Sequence, residues 1–146
     1  MTLEFEVHAK IAKPVADVFR AVTDPKQLSS YFTTGGASAA PTEGATVIWK
    51  FGDYPGDIPV RVMRVVVDER IEFTWETNEG GYDTAVVMRF EALVGGTTLV
   101  RISESGWRDT EKGRESSYGN CSGWMQMLCC LKAWAEHGIN LRQGFF

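Results

Sequence analysis

A strongly apolar helical segment constrains the fold of this chain more than any other feature of the sequence. Residues 122–134, SGWMQMLCCLKAW, have helical spacing, and after Gly123 only Gln126 and Lys132 are firmly polar. A helix that is apolar on almost every side is buried on most sides. The rest of the chain must therefore supply enough structure to surround this helix.

The helix has one continuous apolar stripe, which we expect to face a sheet. The stripe consists of Trp124, Leu128, Leu131 and Ala135. Further apolar side chains lie beside or opposite it, at Met125, Met127, Cys129, Cys130 and Trp134. Three explanations for this excess remain open. The sheet can curl around the helix while other helices cover the rest, the two can enclose an apolar cavity, or the outer side can bind a protein.

The residues before this helix predict a sheet that is interrupted once by helices. Residues 3–11 alternate between apolar and polar side chains, as in a strand with one face in water. Pro14 and Pro25 each suit the first turn of a short helix, and the Gly-rich residues 33–44 predict a loop. Five further strands are predicted over 47–51, 60–67, 71–76, 86–90 and 100–104.

The order of elements predicts the fold class. Residues 53–57, DYPGD, are expected to form a turn, and a long helix is expected over 114–136, with Gly138 placed to end it. One strand, two helices, five strands and a long helix predict an α+β fold in which an antiparallel sheet of six strands packs against the last helix. A chain of 146 residues is expected to form one domain over 1–146.

Composition and charge exclude several classes of partner. The net charge is −4, and no run of lysine or arginine is dense enough to follow a nucleic-acid backbone. The sequence has no signal peptide and no apolar run long enough to span a membrane, so we expect a cytoplasmic protein. Its three cysteines are then expected to be reduced thiols.

One short motif resembles a nucleophile site. Residues 119–123, GNCSG, match the glycine-x-nucleophile-x-glycine elbow with Cys121 as the nucleophile. The elbow needs a strand before it, whereas residues 108–118 are charged and unlike a strand. The two histidines, His8 and His137, are not placed to act as its base. We therefore assign no catalytic residue.

The sequence predicts neither a metal site nor a cofactor. Cys129 and Cys130 would point about 100° apart on a helix, and the two histidines are widely separated. The paired glycines lie in turns and lack the spacing of phosphate-binding loops.

Charged residues near the predicted inner face have two interpretations each. Glu104 continues the inward positions of its strand, so its carboxylate is either hydrogen-bonded at the inner face or lies in solvent beyond the strand end. Arg61 and Arg64 have opposite parity, which requires either a β-bulge or one inward arginine. An inward arginine would pair with Glu104 or with an anionic ligand.

Aromatic residues are concentrated on the predicted inner face. Trp49, Phe51, Trp75 and Phe90 share that face, where ordinary core packing is the default interpretation. If a cavity exists, these residues and the facing helix would line it. The candidate ligand-binding residues are Trp49, Phe51, Trp75, Met88, Phe90, Glu104, Trp124 and Leu128.

Four segments resemble one family of domains. Residues 6–32, EVHAKIAKPVADVFRAVTDPKQLSSYF, are similar to the opening of START-like, birch-pollen-allergen-like (Bet v 1-like) domains, specifically homologues of the heat-shock-protein ATPase activator. VRVMRVVVDERIEFTW, GTTLVRISESGW and SGWMQMLCCLKAWAEHG resemble the middle strands and final helix of that family. The resemblance implies a helix-grip fold, in which a curved antiparallel sheet wraps around the long C-terminal helix and often leaves an apolar cavity.

The resemblance also implies a range of functions. Related domains bind lipids, sterols, aromatic polyketides or plant hormones, some catalyse cyclisations, and the namesake group stimulates a chaperone ATPase. No universal catalytic set exists to carry over, and Tyr31-Phe32 stands where several members have Trp-Phe.

These observations predict a binding protein for a small hydrophobic or amphipathic ligand, held between the sheet and the C-terminal helix. The alternative is a protein-interaction or co-chaperone-like module that modulates a partner ATPase. A third possibility is a cyclase or hydrolase that uses Glu104 as an acid or base. We expect the protein to be a monomer or a homodimer.

Overall fold

The structure is a computed structural model and describes residues 2–146. Within them the chain forms seven strands and three helices. Their order is β1 (Leu3–Ile11), α1 (Val15–Thr23), α2 (Pro25–Ser29), β2 (Gly36–Ala37), β3 (Thr46–Phe51), β4 (Tyr54–Val66), β5 (Arg70–Glu76), β6 (Asp83–Leu93), β7 (Thr97–Trp107) and α3 (Glu111–His137).

All strands belong to one curved, open sheet with the order β1-β7-β6-β5-β4-β3-β2. Every neighbouring pair is antiparallel. The long helix α3 packs on the inner face against β1 and β7, and α1 covers part of the same core. This is the helix-grip arrangement, so the predicted fold class is confirmed.

The sheet has seven strands, whereas the sequence predicted six. The additional strand is β2, within the predicted loop 33–44, where Gly36 and Ala37 pair with Lys50 and Trp49. Two small residues carry no alternation that a sequence pattern could reveal. A Cβ atom at Gly35 would lie 2.9 Å from Lys50 Cβ, so this close approach of the two strands depends on glycine.

Two predictions on β4 had different outcomes. The predicted turn at 53–57 was wrong in extent, because β4 begins at Tyr54 and pairs at once with Phe51 of β3. The turn uses Gly52 and Asp53, and the Pro-Gly dipeptide lies within the edge of the strand. A β-bulge between Val62 and Arg64 leaves both Arg61 and Arg64 exposed, so the bulge alternative is confirmed.

Capping residues set the ends of α3. The helix begins at Glu111 rather than near Arg114, because Thr110 Oγ1 accepts a hydrogen bond from the Gly113 N–H at 3.0 Å. It ends at His137, where Gly138 adopts a left-handed conformation with φ 68°, as the sequence predicted.

Packing accounts for most of the apolar surface of α3. The stripe residues Trp124, Leu128 and Leu131 are buried, together with Met127 and Cys130. In contrast, Met125 is 39% exposed, and Cys129 on the same side is also exposed. The sheet and the short helices therefore cover the stripe but leave one outer edge of the helix in solvent.

The two aromatic residues after α2 have separate roles. Tyr31 is fully buried, and its hydroxyl donates to the Ala21 carbonyl oxygen at 3.0 Å, which ties α2 to α1. Burial raises the pKa of Tyr31 well above its usual value, since the ionised form would lose its hydration. The next residue, Phe32, points instead toward the open end of the helix-sheet contact.

Candidate functional site

A pocket of about 370 Å³ lies at one end of the contact between the sheet and α3. Its walls come from the β3–β4 hairpin, from β5, from the first half of α3 and from the segment after α3. An adjoining pocket of about 420 Å³ extends along β4. The two pockets share Phe51, Tyr54, Ile58, Trp75, Asn78 and Asn120. Several aromatic side chains therefore border an open space at this end of the sheet.

Aromatic side chains from four different elements form the apolar wall. Phe51 of β3 meets Phe32 with ring centres 5.0 Å apart, and Phe32 also meets Trp124 of α3 at 5.7 Å. Trp75 of β5 stacks on Trp124 at 5.4 Å with the ring planes 28° apart. Each ring is fixed by at least one other, so the wall is preformed.

The carboxylate of Glu104 lies directly behind this wall. Glu104 is 1% exposed, and its Oε1 accepts hydrogen bonds from Trp75 Nε1 at 2.8 Å and Thr84 Oγ1 at 2.7 Å. Oε2 accepts from Trp124 Nε1 at 2.8 Å. The Asn120 amide donates to both oxygens, at 3.0 and 3.2 Å. The strand therefore continues through Glu104, and the side chain lies at the inner face.

These contacts determine what Glu104 can do. An ionised carboxylate offers about four acceptor positions, and the surrounding donors occupy all of them. Glu104 has no salt bridge to any of residues 2–146, so neutral donors alone stabilise the carboxylate. Its structural effect is to fix the orientation of the indole rings of Trp75 and Trp124.

Two glycines in the middle of α3 also form part of the pocket wall. Gly119 and Gly123 lie one helical turn apart and both line the pocket. A Cβ atom built at either position would meet nothing within 4 Å. The motif GNCSG at 119–123 thus lies entirely within a helix, with Cys121 half-buried and no strand before it. Its glycines create space instead of a strained turn.

Arg142, in the segment after α3, closes one end of the pocket. Its Nε and Nη2 donate to the two carboxylate oxygens of Asp53 at 2.7 and 2.8 Å, and Nη1 donates to Gln126 Oε1 at 3.1 Å. The guanidinium carbon lies 4.9 Å from the ring centre of Phe51 and 5.0 Å from that of Phe146. A bidentate ion pair and cation–π contacts together hold this segment on the β3–β4 turn.

We expect Arg142→Lys to lower the free energy of unfolding by about 1–2 kcal/mol, because an ammonium group cannot reproduce the planar fork or its stacking. The Arg142 side chain is 10% exposed and that of Asp53 is 20% exposed, so solvent screens this pair only in part. Urea denaturation followed by circular dichroism measures the change. The matched control is Arg20→Lys on the exposed side of α1, and equal effects of both substitutions would contradict the role given to Arg142.

The structure separates the eight predicted ligand-binding residues into three groups. Phe51, Trp75 and Trp124 line the pocket. Glu104 and Trp49 stand behind it, each in contact with Trp75.

The remaining three predicted residues lie deeper in the core. Met88, Phe90 and Leu128 are at most 5% exposed and do not line this pocket. Phe90 instead packs edge-to-face against Phe19 of α1, with ring centres 5.1 Å apart. Parity identifies the inner face of a strand but not the distance of a residue from the open end.

No ligand-binding role was predicted from the sequence for several residues that line the pocket. Phe32, Asn120 and Arg142 are placed by tertiary contacts that periodicity does not encode. Gly119 and Gly123 did carry a signal, because two glycines inside a helical pattern cost helix stability and call for a packing or functional reason.

Among residues 2–146 no cluster of three or more histidine, cysteine, aspartate or glutamate side chains is arranged to hold a metal ion. None of the helices in that range combines the length and apolarity needed to cross a membrane.

Residues 12–136 match the family described as activator of Hsp90 ATPase homolog 1-like protein. A search of curated proteins gave no match.

Solved structures share the fold. DynU16, from the dynemicin biosynthetic locus, is 25% identical with a TM-score of 0.81; the match covers 94% of this chain and 49% of DynU16, so the chain spans about half of that protein. SSP2350 from Staphylococcus saprophyticus is 26% identical with a TM-score of 0.77, covering 94% and 96% of the two chains. The Aha1 dimer from Colwellia psychrerythraea has 21% identity and a TM-score of 0.75, covering 92% and 97%.

Proposed function

The chain belongs to the family of activator of Hsp90 ATPase homolog 1-like proteins, and from this starting point we propose that it binds a small apolar or amphipathic molecule in the pocket beside α3. The pocket volume of about 370 Å³ falls within the range of small-molecule sites. Six of its fourteen lining residues are aromatic and five are polar or charged. Small-molecule sites likewise combine apolar and aromatic surface with polar groups that orient the ligand.

The observation that carries the proposal is the pair of glycines at the pocket wall. Each glycine inside a helix costs about 1 kcal/mol relative to alanine. Neither Gly119 nor Gly123 is required by a close approach of other atoms, because the space next to each is open. The helix therefore gives up stability at the two positions where a side chain would fill the pocket, and a bound ligand is a direct reason for that.

The lining indicates the chemistry of the ligand. Trp75, Trp124, Phe32 and Phe51 offer flat apolar surfaces that suit a planar or ring-containing molecule. Gln126 Nε2 is buried at the pocket wall and has no acceptor among residues 2–146, so it can donate to an oxygen at the polar end of the ligand. Because the acceptor positions of Glu104 are occupied, we assign that residue no acid–base role.

The test uses anilinonaphthalene sulfonate, an amphipathic aromatic fluorophore, and the substitution Gly123→Leu. Leucine at this position would project into the pocket, while its better helix propensity favours α3 by up to about 1 kcal/mol. We expect a saturable fluorescence increase with the unmodified protein and an affinity lowered about tenfold or more in the variant. Urea denaturation should show that the variant is at least as stable.

The matched control is Ser122→Leu, which adds a leucine at the exposed neighbouring position outside the pocket. This variant should retain the affinity of the unmodified protein. If Gly123→Leu binds the fluorophore as well as Ser122→Leu does, the pocket is not the binding site. A loss of affinity that accompanies a loss of stability would be attributed to unfolding, which the denaturation curves detect.

The second candidate is a protein-interaction module that modulates a partner ATPase. It is favoured by the family description and by the exposed side chains of Tyr118 and Met125 on the outer edge of α3. If this function holds, Met125→Asp should abolish stimulation of an Hsp90-type ATPase while Gly123→Leu leaves it unchanged. Equal stimulation by both variants, or none by the unmodified protein, would count against it.

A further inference from the structure

The outer face of the sheet, away from α3, carries a row of basic side chains across four strands. Arg70 of β5 lies opposite Arg89 of β6, and Arg89 lies opposite Arg101 of β7. On β1, His8 lies opposite Arg101 and extends the row. Residues that alternate with these along their strands are buried in the core, so the row faces outward.

This arrangement opposes the stability of the sheet. Side chains directly opposite each other on antiparallel strands have Cβ atoms about 5 Å apart, and like charges in such pairs are destabilising. The outer face needs only polar residues, since water covers it. Three arginines in register are therefore an unfavourable choice for folding alone, and a local conflict of this kind is expected at a functional site.

Acidic neighbours compensate only part of the charge. Arg70 Nη2 lies 3.2 Å from Glu72 Oε1. Arg101 lies 4.0 Å from a Glu6 oxygen and 3.9 Å from a Glu91 oxygen, both beyond hydrogen-bond distance. Of these side chains only Glu72 makes a close ion pair with the row.

The remaining arginine donors have no acceptor in the described chain. Among residues 2–146, Arg64 and Arg89 form neither a salt bridge nor a side-chain hydrogen bond, and Arg70 Nε is buried without a partner. A hollow of about 310 Å³ is lined by Arg64, Arg70, Arg89 and Arg101, which we call the arginine hollow, together with Glu69 and Glu91. The lining of the hollow carries four positive and two negative side chains. Glu72 and Glu6 approach Arg70 and Arg101 from outside this lining, so the positive excess is confined to the hollow itself.

We propose that the arginine hollow binds a multiply charged oxyanion of the phosphate type. Guanidinium groups bind such anions through paired N–H donors, and Arg70, Arg89 and Arg101 occupy neighbouring register positions on adjacent strands. A bound polyanion converts the repulsion within the row into attraction. The site lies on the opposite face of the sheet from the pocket beside α3, so it does not depend on the function proposed there.

The experiment measures thermal unfolding and calorimetric binding with inorganic pyrophosphate, against potassium chloride at equal ionic strength. Pyrophosphate should raise the melting temperature more than chloride does and bind saturably. Arg89→Gln should weaken binding about tenfold or more, because it removes an uncompensated cation. Without the anion, the same variant should melt at the same or a higher temperature, because it relieves the repulsion.

The control is Arg20→Gln, an exposed arginine of α1, which should bind pyrophosphate like the unmodified protein. Vesicles of phosphatidylcholine with phosphatidic acid distinguish a lipid phosphate from a free one. Binding of either probe that Arg89→Gln weakens about tenfold or more and Arg20→Gln preserves supports the site and identifies the source. No binding of either probe, or equal losses in both variants, overturns the proposal.

Discussion

Replacing Glu104 by glutamine is expected to lower the free energy of unfolding by about 2–3 kcal/mol, although the substitution changes almost nothing in volume. All partners of this carboxylate act as donors: the two indole N–H groups of Trp75 and Trp124, the amide of Asn120 and the hydroxyl of Thr84. A glutamine amide presents one oxygen and one N–H₂ group to the same donors.

Neither orientation of that amide satisfies the site. With its nitrogen at the Oε2 position, it would face the N–H of Trp124, and at the Oε1 position it would face the N–H of Trp75. The hydroxyl of Thr84 can reverse and accept, but an indole cannot. One buried indole N–H therefore loses its acceptor in either case, and the bonds that remain lose the strength that a charged acceptor gives them.

Urea denaturation with tryptophan fluorescence measures this effect and also reports on the two indoles themselves. The matched control is Glu91→Gln on the outer face of β6, whose side chain is 61% exposed and lies 3.9 Å from Arg101. That substitution should change stability by less than about 0.5 kcal/mol. A Glu104→Gln variant as stable as the control would show that the carboxylate is not the centre of the indole arrangement.

The Glu104 site shows how far the sequence leads. Alternation along the strand assigned Glu104 the inward parity of Ile102 but left open whether the strand extended that far. The requirement that a buried carboxylate be hydrogen-bonded follows from elementary energetics. The identity of its donors does not, because Trp75, Thr84 and Asn120 come from three other elements. Strand register and the position of α3 on the sheet bring these donors together, and a local sequence pattern predicts neither of them.

Sequence patterns are local, which also explains why strand β2 and the contact between Arg142 and Asp53 were not predicted. The bulge near Arg64 could be foreseen as one of two alternatives, because Arg61 and Arg64 have opposite parity on one strand. The stripe on α3 could be predicted because it repeats with the helical period. The two-residue strand β2 is too short to have a period. Arg142 and Asp53 are far apart in sequence, and no pattern around either residue indicates the other.

Glycine lowers the stability of a helix, and the surroundings of the three glycines in α3 show why each is present. Gly119 and Gly123 lie inside the helix that the sequence predicted over 114–136, whereas Gly113 lies in the first turn of the observed α3. Their surroundings differ. Next to Gly119 and Gly123 there is open space, whereas a Cβ at Gly113 would lie 1.9 Å from the carbonyl oxygen of Arg108 and 3.2 Å from Thr110 Oγ1. The two pocket glycines maintain a space, and Gly113 permits a backbone contact.

Alanine substitution at these positions is therefore expected to have opposite signs. Gly119→Ala and Gly123→Ala should each raise the free energy of unfolding by about 0.5–1 kcal/mol, since alanine is the better helix former and meets no obstacle. Gly113→Ala should lower it by about 2 kcal/mol or more, because the Arg108 carbonyl is backbone and moves only if the start of α3 shifts.

Urea denaturation of the three variants tests whether Gly119 and Gly123 border open space and whether Gly113 is required by a close backbone contact. If Gly113→Ala were stabilising, the first turn of α3 would not be held against the Arg108 carbonyl, and the capping contact of Thr110 would have to be weak. If Gly119→Ala and Gly123→Ala were destabilising, the space beside them would be filled in solution. The aromatic wall would then close on the helix, which would remove the physical basis for a ligand at this end of the sheet.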